Sequence, residues 1–339
     1  MTLVLSSRGI TSWAQVYELI SASEYTITNE PNKEPLTELY LHNNQISSWK
    51  DFNPGSIVYL HIQNNQLSSW KDFNPGSLEY LDLYNNKISF WKDFNPGSLK
   101  RLDIFSNEIS SWKDFNPGSL TELHLGDNQL SSWKDFNPGS LTELYLHNNQ
   151  ISSWKEFNPG SLTELYIYNN QISSWKDFNP GSIVYLHIHN NQLSSWKDFN
   201  PGSLEYLDLY NNKISFWKDF NPGSLKRLDI FNNEISSWKD FNPGSLEQLD
   251  LRDNQISSWR YFNPGSLEHL YLNNNQFPPN TPTFRQIKIV YVICRCITRR
   301  NCLRRYVARH RASKVTTILE INPDSAIYRD FYEAFLGPY

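Results

Sequence analysis

Polar and apolar residues alternate through Glu38, Leu39, Tyr40, Leu41 and His42, which is the period of a β-strand. The same beat returns every 21 residues, in full units starting at 36, 57, 78, 99, 120, 141, 162, 183, 204, 225 and 246 and in a partial unit starting at Leu267. Leu39 and Leu41 face one way; Glu38, Tyr40 and His42 face the other. Parallel stacking of such strands buries the leucine side and leaves the alternate residues on one open sheet. Asn44 closes the strand and recurs in every unit through Asn275.

Between one strand and the next lies SSWKDFNPGS, written almost unchanged in eleven units. Ser48 and Asp51 are expected to cap a single helical turn carrying Trp49 and Phe52, and Pro54 with Gly55 to stop it. So short a segment has no room for a full α-helix, so the return side is expected to be extended or 3₁₀-like. Trp49 and Phe52 are assigned to the core. The rival assignment, an exposed tryptophan stripe used for binding, would be a severe aggregation hazard.

Leu36, Leu39, Leu41, Asn44 and Ile46 follow L-x-x-L-x-L-x-x-N-x-I/L. This resembles the leucine-rich repeat family over about 240 residues. The resemblance implies a repeat solenoid, a right-handed superhelix with a parallel β-sheet on its concave face. It also implies that the asparagine ladder bonds neighbouring backbones at the bend. Short-repeat members of the family, such as bacterial effectors, carry Leu where Trp49 and Phe52 fall. The monotony of the array is also similar to leucine-rich proteins of large DNA viruses. One unit cannot bury its own apolar face, so stability must come from stacking. Three segments follow: residues 1–35 as an N-terminal cap, with Ser12 starting a short amphipathic helix WAQVYELI; 36–277 as the repeats; and 278–339 as a basic, helical tail or cap.

The letters that vary are the outward ones. The middle position reads Tyr40, His61, Asp82, Asp103, His124, Tyr145, Tyr166, His187, Asp208, Asp229, Asp250 and Tyr271, and seven of the eight histidines belong to this face. Tyrosine, phenylalanine and arginine on an open surface have the composition of an interface hot spot. The candidate contacts are Tyr59, Tyr80, Asp82, Tyr84, Arg101, Asp103 and Phe105, then Tyr185, His187, Tyr206, Asp208, Tyr210, Arg227, Asp229 and Phe231. The expected ligand is a protein. The bland alternative is a sheet whose rings stack only on one another. Asp208, Asp229 and Asp250 are like charges at neighbouring positions, with Arg227 and Arg252 as the expected relief. His61, Asp82, Asp103 and His124 have metal-ligand chemistry but span about 14 Å at strand spacing, so no ion is ringed by all four. No cofactor or catalytic residue is assigned, because an open groove is a poor place for paired-carboxylate hydrolysis.

A second period overlies the first. Residues 57–119 and 183–245 match at 61 of 63 positions, differing only at Gln63/His189 and Ser106/Asn232. The offset is six units, about 29 Å at strand spacing, and implies duplication of a block; the functional expectation is that the chain binds two copies of one target, or one repetitive target, with avidity. A copying event without selected purpose is the alternative.

Charge changes the picture at the C-terminal end. Residues 1–277 hold 20 basic and 31 acidic side chains; residues 278–339 hold 11 and 4. The stretch 285–314 carries ten Lys/Arg, including Arg299, Arg300, Arg304, Arg305 and Arg309. Nucleic-acid contact, anionic-membrane contact, a partner that grips a basic amphipathic helix, and a capping helix with solvated charges all stay open, as does a strand at 287–293. A second short helix is expected from Asp324. Cys294, Cys296 and Cys302 with His310 fit no common zinc spacing. Three clustered thiols make no disulfide framework, and MTLVLSS lacks a basic leader, so an intracellular, cytoplasmic setting without a signal peptide or membrane span is expected. The segments flanking the repeats are too short for a ubiquitin-ligase domain or an F-box, so no enzymatic role is expected.

Overall fold

The computed structural model describes residues 1–287 apart from Asn29, Pro31 and Phe284. These form two compact units, the first Met1–Gln192 with Gly202–Leu207, the second Leu193–Pro201 with the described residues from Asp208 on. Each is a parallel-strand repeat solenoid. In the first, three-residue strands Glu38–Tyr40, Tyr59–His61, Tyr80–Asp82, Arg101–Asp103, Glu122–His124, Glu143–Tyr145, Glu164–Tyr166 and Tyr185–His187 pair in parallel, each leucine opposite the next. In the second, Arg227–Asp229, Gln248–Asp250 and His269–Tyr271 do the same. A further strand is Tyr206–Asp208.

In each unit the leucine face and the return segment close on a core. The repeat tryptophans Trp49 to Trp238 are 0% exposed and Trp259 is 7% exposed, while the repeat phenylalanines are no more than 8% exposed. Within each unit indoles pack on the phenylalanine of the following turn, as in Trp70–Phe94 at 4.5 Å and Trp112–Phe136 at 4.6 Å between centroids in the first and Trp217–Phe241 at 4.7 Å in the second. Indoles of successive turns lie nearly parallel, Trp133 and Trp154 being 6.2 Å apart at 9°. The asparagine ladder works as the resemblance implied. Asn65 Nδ2 donates to the carbonyls of Leu41 and Ile62, and its Oδ1 accepts from the Ile46 amide. One side chain thereby ties two turns together where the strand bends away and its backbone groups lose ladder partners.

The expected helical turn at 48–52 does not form. Asp51 has φ 67°, and so do its counterparts within a few degrees. A left-handed residue cannot continue a right-handed turn. Residues 49–52 instead make a tight turn closed by the Phe52 amide on the Trp49 carbonyl at 2.8 Å. The return side is extended rather than 3₁₀, with single backbone bonds between turns, such as Lys87 N to Leu67 O at 2.8 Å. Asn-Pro-Gly then reverses the chain. Asn95 Oδ1 accepts from the Gly97 amide at 3.2 Å. Gly97 has φ 52°, and a Cβ there would lie 2.4 Å from Pro75 Cγ, so both conformation and space require glycine.

Both ends of the repeats are covered. A helix, Trp13–Ser21, buries Trp13, Val16 and Ile20; Trp13 stacks on Trp49 at 5.8 Å and donates to the Ser48 carbonyl at 2.9 Å. A strand that sequence reading missed, Thr2–Val4, pairs with Glu38–Tyr40. Its signal was the alternation in MTLVLS, which reads equally as a weak leader. At the other end Trp259 meets Phe277 at 5.1 Å and donates to the Pro282 carbonyl at 2.9 Å. No helix among the described residues is long and apolar enough to cross a membrane.

Candidate interaction face of the sheet

The outward positions of each strand form three side-chain columns, and the candidate contacts lie on them. In the first unit Tyr59 is 45% exposed and Tyr84 is 38% exposed, while Tyr80 and Phe105 are half-buried. His61 stacks on Tyr40 at 4.2 Å and 4° and lies 3.6 Å from Glu38 and 3.9 Å from Asp82. Asp103 sits in register with Asp82 on one side and His124 on the other, with a His124 contact of 3.8 Å. Burial raises its carboxyl pKa above the usual range, although it accepts the Phe105 amide. Burial, helped by Asp82 and Asp103, pushes the Tyr80 hydroxyl up to about 12.

The third column holds stacked rings: Tyr84 on Phe105 at 5.3 Å, then His147 on Tyr168 at 4.7 Å. Between them Gly126 leaves a gap that Phe105 and His147 lean across to meet at 5.3 Å. A Cβ at 126 would collide with both rings, at 2.5–2.6 Å. Burial lowers the His147 pKa.

Residues 122–168 carry a motif that sequence reading did not single out. Glu122, Glu143 and Glu164 stand directly opposite one another on successive strands. Beside them run the rings of His124, Tyr145, Tyr166 and His187, at 4.0, 4.3 and 4.5 Å in turn. Tyr145 Oη donates to Glu143 at 3.0 Å and Tyr166 Oη to Glu164 at 2.7 Å. Burial and the acceptor carboxylates raise both phenols, Tyr166 to about 12. The legible signal was Thr-Glu-Leu recurring in three consecutive units.

The duplicated blocks share much of their local geometry. Tyr210 stacks on Phe231 at 4.6 Å. Tyr185–Tyr206 is 6.5 Å against 6.4 Å for Tyr59–Tyr80, and His187–Tyr206 matches His61–Tyr80 at 5.1 Å. They part at the arginines. Arg227 forks onto Asp229 on its own strand, with Nη2 to Oδ2 at 2.6 Å, and Arg252 does the same to Asp250 while lying over Phe231. That is the expected relief of like charge. Arg101 instead crosses to Glu122 at 2.8 Å, over the Tyr80 ring. The neighbouring strand decides: Arg101 faces Glu122, whereas Arg227 faces Gln248.

Phe90 and Phe216 replace the second serine of the return segment and are exposed on it, a feature sequence reading passed over. The basic-tail residues Arg299, Arg300, Arg304, Arg305 and Arg309 lie outside the described residues, as do the cysteines and the expected Asp324 helix.

A repeating parallel strand and an asparagine ladder are the architecture of a leucine-rich repeat protein. A family model described as Leucine Rich Repeat matches residues 77–96 and 203–222. No curated protein sequence matches the chain. Among solved structures it is similar to the internalin InlF from Listeria monocytogenes str. 4b F2365, at 20% identity and TM-score 0.53, over 79% of this chain and 86% of that one. It is similar to YopM from Yersinia enterocolitica WA-314 at 27% identity and TM-score 0.55, over 76% of this chain and 59% of that one. It also matches a chain of the octameric complex of Latrophilin 3, Unc5D and FLRT2, where FLRT2 is the leucine-rich repeat component, at 24% identity and TM-score 0.53, over 73% and 86%.

Proposed function

We propose that the chain is a protein-interaction scaffold whose outward sheet face receives its partner. One observation carries this: side-chain variety is concentrated on that face, where Tyr59, Tyr84 and Tyr185 are exposed, while the return segment changes at few positions from unit to unit. Aromatic rings of low conformational entropy on a rigid sheet suit recognition. A leucine-rich repeat neighbour sits in a multiprotein complex, which fits the same role. The test is affinity capture with the full chain as bait, followed by binding measurements on the partner found. The double variant Tyr84→Ala/Phe105→Ala should weaken binding about tenfold or more. Lys134→Ala and Lys155→Ala, exposed on the return segment, should leave it unchanged. The reverse pattern rejects the sheet face.

The matched geometry of the two blocks favours a second, finer reading, in which each presents one copy of a binding patch. Tyr84→Ala/Phe105→Ala and Tyr210→Ala/Phe231→Ala should then each lower avidity, and together abolish it. Loss from one pair alone rejects bivalency.

A further inference from the structure

We infer that the first unit's sheet face between Arg101–Asp103 and Glu164–Tyr166 takes an extended basic segment of a partner protein. This rests on the reading above, that the outward face binds protein, and adds the partner's chemistry. At the outward strand positions of the first unit stand six carboxylates, Glu38, Asp82, Asp103, Glu122, Glu143 and Glu164, against one guanidinium, Arg101. That guanidinium is already engaged by Glu122. The flanking residues ahead of the strands add Glu79 and Glu205 against Lys100. Like charges directly opposite on adjacent strands are unfavourable, and no ion pair relieves Glu143 or Glu164 among the described residues. The second unit shows the contrast: its paired Asp229 and Asp250 each hold an arginine two residues away, Arg227 and Arg252.

The face is also shaped for stems as well as charges. The stacked rings of His124, Tyr145 and Tyr166 run alongside the carboxylates. The aliphatic stems of Lys or Arg pack on such a floor while their heads reach the acids. Three carboxylates at strand spacing cover about 10 Å, which matches two same-side residues of an extended peptide about 7 Å apart plus the reach of their heads. A polyanion carries the wrong sign for this face, and the sheet face of a second copy would present the same acids.

The test uses the full chain and a labelled peptide alternating Arg and Ser, with a Gln-for-Arg peptide as control, at about 0.15 M salt. The Arg peptide should bind and the Gln peptide should not. Glu143→Gln/Glu164→Gln should weaken binding roughly fivefold to tenfold. Glu108→Gln/Glu234→Gln makes the same charge change at exposed positions off the sheet, and should change affinity by less than about twofold. The unbound Glu143→Gln/Glu164→Gln chain should also melt about 1–3 °C higher, because a repulsion is gone. Equal loss in both double variants reduces the effect to net charge and overturns the proposal. So does absence of peptide binding, whether the face is inert or filled by the chain's own basic residues. A partner that depends on Tyr84 and Phe105 but ignores Glu143 and Glu164 removes this inference and leaves the interaction role standing.

Discussion

Asp103 is held between a carboxylate and an imidazole at the cost of its hydration. Its carboxyl pKa is raised, first by burial and then by Asp82, against the opposing pull of the Phe105 amide and His124. A raised folded pKa means the native state binds the proton more tightly than the unfolded chain. Stability from this group is therefore full below the unfolded value and lost as pH rises through the folded one. Asp103→Asn keeps an acceptor for the Phe105 amide and removes the charge. It should give a higher Tm at neutral pH, with the gain shrinking as pH falls towards the ordinary carboxylate range. No gain at pH 7 would mean that His124 repays the burial in full. Gly97 makes the opposite case. Its left-handed φ and the 2.4 Å approach of Pro75 Cγ leave no room for a methyl. Gly97→Ala should cost about 1–3 kcal/mol by denaturant unfolding from the backbone alone, and more if the proline cannot move.

At the scale of the element, the return segment is a zipper of indole and phenyl rings rather than a helix. Trp133 lies between Trp112 and Trp154 and packs on Phe136 and Phe157. Trp133→Ala should cost about 3–5 kcal/mol, and hydrogen exchange should show protection lost in the adjoining turns too, because each turn is completed by its neighbours. The strand and this ring zipper were legible in the sequence, since a 21-residue period repeats every inward position in phase. The turn at Asp51 was not. The spacing of Ser48 and Asp51 is that of a capping pattern, but Asp tolerates left-handed backbone, and the tight Asn-Pro-Gly reversal that follows leaves no length for a helix. The fate of Arg101 was equally hidden. Its own strand is identical to that of Arg227, and the difference comes from Glu122 and Gln248, one full turn further along. Side-chain partners across a parallel sheet are set by register, which a local reading does not see.

For the whole molecule, the sameness of the turns has an effect that none has singly. The joint between consecutive turns is built from the same tryptophan, phenylalanine, asparagine, proline and glycine wherever it occurs in the repeats. Removing residues 141–161, one complete turn within the first unit, joins Ser140 to Leu162 in place of Leu141. The shortened chain should fold with unchanged near-ultraviolet tryptophan signal per residue and a Tm lower by only a few degrees. Removing half a turn should abolish the transition. Interchangeable joints make length itself adjustable: misaligned recombination within the coding sequence can add or drop whole turns, and every product inherits a working core. What such an event alters is the order of glutamates, tyrosines and histidines along the open face, so the array can try new recognition surfaces without ever having to reinvent its interior.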